Sequence, residues 1–473
     1  MISFVSSLTF TEKMPKKRLD RITGKKVAIL GMARSGLALA KLLKSYGARV
    51  FLSDTKPEHL LFKEIEELKK IGADWEAGGH TPNVWQDRDF LVVSPGVPDN
   101  VPILKKAEGN SLPIFSEIEV ASWLCQGRII GITGSNGKTT TTTLVGQIFH
   151  KAGLEVAVGG NVGNAFSNIA DTLTENGWAV LELSSFQLER VSDFKPHVAA
   201  ILNLSPDHLD RYPDYNAYVR AKLRIFENQD SDDFAVLNAD DQETEKIKKQ
   251  VNSNVILSSS QKIISKGSYV KEGWLWTNLS GKEKKIIPAT EIGIRGPHNL
   301  ANSAAASAIA GLAGIESDVI ASVLREFNGV EHRLEEVATV TGIRFVNDSK
   351  ATNVDSVWYA LQSVSRPIIL IAGGKDKGSS YLPLADLVRQ NVKLLILIGQ
   401  AAGKIRKELG NLVPTQDATS LEEAIEIGFK NAAAGDTVLL SPACASFDMF
   451  ENYEHRGKVF KQSVKKLQEQ YGK

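Results

Sequence analysis

The stretch Ile129-Ile-Gly-Ile-Thr-Gly-Ser-Asn-Gly-Lys-Thr-Thr140 constrains this chain more than any other. An apolar run enters a glycine-rich turn that ends in Gly137-Lys138-Thr139-Thr140 and passes into helix-forming sequence. Strand, turn and helix in that order belong to an α/β sheet, with the turn at the carboxyl end of its strand. Chemically the turn is a phosphate cradle. Its glycines let backbone N–H groups converge on phosphate oxygens, and Lys138 adds a point charge. The Thr139 hydroxyl can ligate Mg²⁺, and the start of the following helix favours an anion. Ile132 stands where the strict pattern has its first glycine, and glycines fall at 131 and 134 instead. The bland alternative is an ordinary strand-to-helix turn, but Gly-Lys-Thr straight after an apolar strand points to ATP.

The same signature recurs along the chain in weaker forms. At 473 residues the chain is long enough for about three domains. Three α/β blocks are predicted: 1–116 (with 1–22 read as an extension, Met14 being a possible start), 117–329 and 330–473. The first opens with a strand over 27–30, the turn Gly31-Met-Ala-Arg-Ser-Gly36, a helix over 37–46 and a strand over 49–53 ending at Asp54. This is a βαβ unit with a degraded dinucleotide fingerprint, because Ala33 replaces the middle glycine. A strand over 90–93 runs into Ser94-Pro-Gly96. In the second block, strands over 178–183, 198–204 and 234–237 each open into a polar loop. Residues 251–288 read as strands and hairpins, and 301–313 as an alanine-rich helix. The third block repeats the pattern with strands over 367–372, 393–398 and 437–440. Apolar strands alternating with helices predict mostly parallel sheets covered on both faces, Rossmann-like in the outer blocks and P-loop-like in the centre.

Composition narrows the function classes. Lys plus Arg total 56 against 55 acids, a net charge of +1, which gives nucleic-acid binding no support. Two cysteines, Cys125 and Cys444, make neither a disulfide framework nor a metal knuckle. No apolar run reaches membrane-spanning length, and the basic cluster Lys16-Lys17-Arg18 follows the mildly apolar start rather than preceding it as a secretory signal requires. A cytoplasmic monomer, without membrane or nucleic-acid partners, is expected.

Ligands of open α/β sheets bind beyond the carboxyl ends of the strands. Glu182 lies at such an end among apolar residues, where an acid is costly to bury unless it meets a cation. It is either a Mg²⁺-directed carboxylate or half of a buried ion pair. His208, in Ser205-Pro-Asp-His-Leu-Asp-Arg211, sits one loop from the cradle; its imidazole could ligate a second metal, or it is merely solvated. Residues 218, 222 and 226 share one helical stripe within a helix over 217–226 and read Tyr, Lys, Phe. Lys222 either snorkels to water or, in a dry site, has a lowered pKa and a free amine able to take up CO₂ as a carbamate. Asp348, Lys350 and Thr352 alternate after a strand over 343–346, so all three are expected on one side. Arg333 with Lys375 and Lys377 would complete a cationic mouth, or simply a solvated face.

Together these segments resemble the Mur ligase family, from about Lys25 to the C-terminus. Thr133–Thr139 is similar to the family's ATP loop, and 182–189 and 203–212 to its metal-site segments. The stretches Asp348-Ser-Lys-Ala-Thr-Asn353 and Leu440-Ser-Pro-Ala-Cys-Ala-Ser-Phe-Asp448 resemble the type that adds D-glutamate to UDP-N-acetylmuramoyl-L-alanine. The resemblance implies that Gly134, Ser135, Asn136, Gly137, Lys138, Thr139 and Thr140 hold the ATP phosphates, with Asn299, Arg333 and Asp348 on the nucleotide. Thr139, Glu182, His208 and carbamylated Lys222 would organise Mg²⁺, and Lys350 would offset transferred charge. UDP would occupy the first block, with Ala33 and Arg34 in its turn, Asp54, Thr55 and Lys56 near the uracil, and Ser94 and Gly96 near the diphosphate. Asn161, Ser184 and Gln187 would steady the muramoyl portion. Thr352, Lys377 (or Lys375), Ser446 and the backbone of Tyr453 would receive D-glutamate. The N-terminal extension has no counterpart in the family pattern.

The chemistry implied is ATP-driven amide formation through an acyl phosphate, in peptidoglycan precursor synthesis, with His208 also able to help deprotonate the incoming ammonium. The third block is expected to close over the second, since water would hydrolyse an acyl phosphate. The rivals are a folylpolyglutamate-type ligase, a nicotinamide-dependent dehydrogenase using the Gly31 turn, and a non-enzymatic ATP-binding switch.

Overall fold

The computed structural model describes residues 16–98, 101–161, 163–208 and 211–471. Residues 1–15, which hold Met14 and most of the expected extension, lie outside the described residues, as do Leu209 and Asp210 of the His208 loop.

Three sheets follow one another along the chain. In the first, Asp74–Ala77, Arg49–Asp54, Lys26–Leu30, Phe90–Val93 and Ile114–Ser116 lie side by side in that order, all parallel. The chain therefore reverses its winding direction between Lys26–Leu30 and Phe90–Val93, the place where a doubly wound sheet opens a crevice. In the nine-stranded central sheet, Arg128–Thr133 lies between Val198–Ile201 and Trp178–Glu182, and Val156–Gly160 forms the edge. At the far side, Gly267–Lys271, Trp274–Asn278 and Lys284–Pro288 pair antiparallel as the hairpins predicted within 251–288. The third sheet runs Glu335–Val340, Ile343–Asn347, Thr437–Leu440, Ile368–Gly373, Val392–Ile398 and Thr415–Asp417, antiparallel only in the first pair.

Continuous apolar runs form the inner strands because both faces are covered. Phe90–Val93, Trp178–Glu182, Val198–Ile201 and Ile368–Gly373 are buried at every position. The predicted elements are present with shifted ends. The first helix spans Arg34–Ser45 rather than 37–46, and the helix carrying Lys222 spans Tyr215–Leu223, tightening into a 3₁₀ turn at Arg224–Phe226. Two glycines are needed where they stand. Gly137 precedes helix Lys138–Lys151 at φ +83°, and a Cβ there would lie 2.3 Å from Asn302 Oδ1. Gly31 has φ +93° and packs against Ser94, closing the two ends of the crevice together.

The apolar cores divide unequally. One cluster joins residues of the first sheet, such as Val27 and Leu52, to residues of the central unit, such as Leu181 and Ile225. The third sheet has two cores of its own, one on each face, drawn entirely from residues beyond 330. We propose domain boundaries near 116 and 330, where helix Glu117–Ser122 and the segment 327–334 connect the sheets. Both cysteines are buried and free. Among the described residues no helix is long and apolar enough to cross a membrane.

Candidate active site

The carboxyl ends of the three sheets converge on a cleft made of three adjoining cavities. The cavity at the phosphate loop holds Lys138, Thr139, Asn161, Glu182, Ser184, His208, Lys222, Lys350, Thr352 and Lys377 in its walls. A second, on the outer side of the loop, is lined by Asn136, Gly137, Thr140, Asn299, Arg333 and Asp348. A third, of about 860 Å³, lies in the crevice of the first sheet against Ala33, Arg34, Asp54, Thr55, Lys56, Ser94, Gly96, Asn161, Gln187 and Tyr453. Asn161 and Tyr453 border both the first and the third.

At the centre, a chain of hydrogen bonds crosses between the central and third sheets. Lys350 Nζ donates to Thr139 Oγ1, and Thr139 Oγ1 donates to Glu182 Oε2 at 2.7 Å. Asn161 Nδ2 donates to the other Glu182 oxygen at 3.0 Å. Glu182 is only 2% exposed. Burial pushes its pKa up, but Lys350 and Lys138 outweigh burial and hold it below the ordinary carboxylate value. The buried Lys350 ammonium is pushed down to about 8 by desolvation, against the pull of Glu182. Lys138 Nζ donates to the carbonyls of Gly134 and Ser135 at 2.8 and 2.7 Å, so its charge sits inside the loop's curve.

Lys222 does not snorkel. Its side chain is 1% exposed, its Nζ donates to Gly134 O at 2.9 Å, and the ammonium sits 4.7 Å from the Tyr218 ring centroid. Burial first, then the neighbouring Lys138, drives its pKa well below that of a free lysine. His208 is packed edge-on to Phe186 at 4.8 Å between centroids. Burial, reinforced by Lys377 and Lys138, lowers it to about 4 despite Asp207. An imidazole that weakly basic is neutral at pH 7 and keeps a ring nitrogen free to ligate a metal.

The segment after Ile343–Asn347 departs from the predicted alternation. It turns instead of staying extended, with Ala351 N–H bonded to Asp348 O and Thr352 N–H to Lys350 O. Asp348 therefore faces the outer cavity beside Arg333, while Lys350 and Thr352 face the phosphate cavity. Burial, only partly offset by Arg333, pushes Asp348 up to about 6. Lys377 lies in the site, 3.7 Å from Asp207, whereas Lys375 is exposed and bridges Ala445 through its backbone. Ser446 is buried without lining any of the three cavities, and Gly134 contributes only its carbonyl. The Tyr453 carbonyl already accepts Ser349 Oγ at 2.8 Å, so its backbone offers the N–H at the start of helix Tyr453–Tyr471.

Sequence reasoning passed over several wall residues. Asp207 is the chief one: Asn353 donates to it at 3.0 Å and Lys377 pairs with it. Burial raises its pKa, but Lys377 and His208 together bring it to about 2. Its position beside His208 was the available signal. His298 and Tyr359, rings 5.3 Å apart, wall the outer cavity, and no motif marks either one. Among the described residues, the group whose histidine and carboxylate atoms lie within 4.8 Å of one another is Glu331, His332 and Glu335. Lys461 donates to both carboxylates there, which makes it an ion-pair network.

Three family models match the chain in succession: the Mur ligase MurD-like N-terminal domain over 25–116, the Mur ligase middle domain over 132–310 and the Mur ligase glutamate ligase domain over 332–444. The UDP-N-acetylmuramoylalanine–D-glutamate ligase of Koribacter versatilis is 44% identical over 449 residues, covering 95% of this chain and 99% of that protein. The chain belongs to the Mur ligase family. A second relative of the same name, from Thermoanaerobacter sp., is 43% identical to this Mur ligase over 450 residues, covering 94% and 99%. Solved structures share its fold at lower identity. MurF from Acinetobacter baumannii superposes with a TM-score of 0.62 at 16% identity, over 96% of this chain and 98% of that one. MurC from Thermotoga maritima gives 0.60 at 20%, over 93% and 99%.

Proposed function

We propose that this Mur ligase joins D-glutamate to the alanyl carboxylate of UDP-N-acetylmuramoyl-L-alanine, driven by ATP, in peptidoglycan precursor synthesis. One observation carries the reading: Lys350, on the third sheet's side, reaches Thr139 of the phosphate loop, so both halves of a two-substrate site face one space. The near full-length match to relatives named as D-glutamate ligases supports the amino acid chosen. A cytoplasmic monomer without nucleic-acid partners is part of the proposal, supported by the balanced charge and the need for ATP.

A carboxylate at neutral pH is a poor electrophile and needs activation. An oxygen of the alanyl carboxylate attacks the γ-phosphorus of ATP, the bond to the β–γ bridging oxygen breaks, and ADP leaves. The free amine of D-glutamate then attacks the acyl carbon, phosphate departs from the tetrahedral intermediate, and the proton lost by nitrogen leaves with the phosphate. The chain's task is to hold charge and exclude water. Lys138 in the loop and Lys350 across the cleft flank the place where charge accumulates, and Lys377 with Thr352 offers a cation and a hydroxyl to the carboxylates of D-glutamate. Asn299, Arg333 and Asp348 hold the nucleotide in the outer cavity.

The donor set fits a hard divalent cation. Glu182 is a buried carboxylate kept ionised by two lysines and touching a hydroxyl, which is oxygen chemistry suited to Mg²⁺. Thr139 and Glu182 would hold one ion; His208 and a carbamate on Lys222 would hold another, the buried low-pKa amine being the form that reacts with CO₂. Such ions neutralise charge on the transferring phosphoryl group.

The test is incorporation of labelled amino acids into the UDP-linked product in the presence of ATP. D-Glutamate should enter alone, and ¹⁸O placed in the alanyl carboxylate should appear in the released phosphate. Entry of another amino acid in its place refutes the specificity, and phosphate free of ¹⁸O refutes the acyl phosphate.

A further inference from the structure

The crevice of the first sheet contains a histidine that the reading so far leaves unused. Asp54 stands at the end of the second strand, where dinucleotide-binding folds place the acid that holds a ribose hydroxyl. Here both its oxygens brace the turn: Oδ2 accepts Met32 N–H and Oδ1 accepts Lys56 N–H, each at 2.9 Å. Beyond it, His80 follows strand Asp74–Ala77 through two glycines and enters the wall of the same cavity.

The hydrogen bonds behind His80 fix its tautomer. Ser53 is fully buried and has one hydroxyl proton. Its Oγ lies 2.6 Å from Glu76 Oε1, 2.6 Å from His80 Nδ1 and 3.4 Å from the Gly79 carbonyl. Glu76, which also accepts the Thr81 N–H at 2.9 Å and the Thr81 hydroxyl, is an acceptor throughout. The Ser53 proton therefore goes to Glu76, and Ser53 Oγ accepts from Nδ1–H. That leaves a lone pair on Nε2. Burial favours the neutral ring, opposed by Glu76 and Asp54.

We infer that His80 is a specificity-determining residue for the sugar-nucleotide substrate, its Nε2 accepting a hydrogen bond from a donor on the nucleoside, either uracil N3–H or a ribose hydroxyl. The inference rests on the reading of this crevice as the sugar-nucleotide site. If the donor is uracil N3–H, cytosine, whose N3 is itself an acceptor, does not supply it.

Calorimetric binding to the full chain tests this with UDP, N3-methyl-UDP, 2′-deoxy-UDP and 3′-deoxy-UDP. Replacing His80→Ala should weaken UDP binding about tenfold, the usual effect of leaving a polar partner unmatched. It should also abolish the penalty for the one probe that lacks the recognised donor: the N3-methyl compound if the base is read, a deoxy compound if the ribose is. His80→Gln keeps an acceptor and should recover most of the affinity. Ser53→Ala leaves the ring but frees its tautomer, and should show a smaller loss in the same direction, providing an independent check should His80→Ala fold poorly. Equal UDP affinity in wild type and His80→Ala, or penalties that persist unchanged in the variant, overturns this inference alone. Failure of the wild-type protein to bind UDP overturns the reading of the crevice and the inference with it.

Discussion

The two junctions between the sheets are built from opposite materials. Between the first and central units one apolar core runs through, and Glu119, fully buried on the connecting helix Glu117–Ser122, anchors that helix to the central unit. Its carboxylate accepts Trp123 Nε1–H at 2.7 Å and the backbone N–H groups of Ser192, Asp193 and Phe194 at 2.8–3.1 Å. Between the central and third units the described residues share no apolar core, and besides the His298–Tyr359 ring contact the contacts are polar: Lys350 to Thr139, Asn353 to Asp207 at 3.0 Å, Ser356 to Asn136 at 2.7 Å, and Lys377 to Asp207. Opening the first junction would expose the apolar area of that shared core, which is costly. Opening the second exchanges polar bonds for bonds to water, at a net cost of about 1 kcal/mol each. The first joint holds the crevice of the first sheet against the phosphate loop, and the second is the one that opens at lower cost.

This contrast predicts that activity and stability separate by junction. Lys138→Ala should lower kcat by about a thousandfold, the scale of losing a charge aimed at the transition state, with little change in thermal midpoint. Near-normal turnover would sink the ATP assignment. Lys222→Ala should lose about a hundredfold or more for the same reason and regain part of it with acetate or formate, which replace the carbamate; absence of any rescue rejects the carbamate. On the apolar side, Glu119→Ala should cost about 3 kcal/mol or more in denaturant unfolding, since four donors lose their acceptor. Asn353→Ala, at the polar joint, should cost about 1–2 kcal/mol, because Asn353 also caps helix Val354–Ser363, while raising the KM for D-glutamate severalfold. If Asn353→Ala destabilised the protein as much as Glu119→Ala, the two joints would not differ as described. The smallest effect concerns pH. Asp348, raised to about 6, is a carboxylate above that value and loses its charge as pH falls through it. The KM for ATP should rise a few-fold between about pH 7.5 and about pH 5.5, and Asp348→Asn should flatten that limb of the profile.

The sequence made the sheets legible because parallel strands buried on both faces are written as apolar runs, and each loop that follows one is polar. Phe90–Val93 and Thr437–Leu440 fall where they were predicted, to the residue. Glu182, at a strand end, and Lys138, in the turn that follows one, were readable for the same reason. What escaped was set by turns and by neighbours distant in sequence. Alternation cannot foresee that 348–352 folds back and sends Asp348 and Lys350 to different cavities. Nor can it weigh Lys377 against Lys375, a choice made by the bridge to Ala445, some 70 residues on. The tautomer of His80 depends on Ser53 and Glu76 from two other places on the sheet, and no local pattern encodes it.

Lys350 reaches its partner only across the joint made of exchangeable bonds. The cation beside Thr139 and Glu182 is thus supplied by the third unit. The Thr139–Glu182 pair acquires its second cation from a part of the chain 211 residues away, through a bond that the central unit alone cannot make.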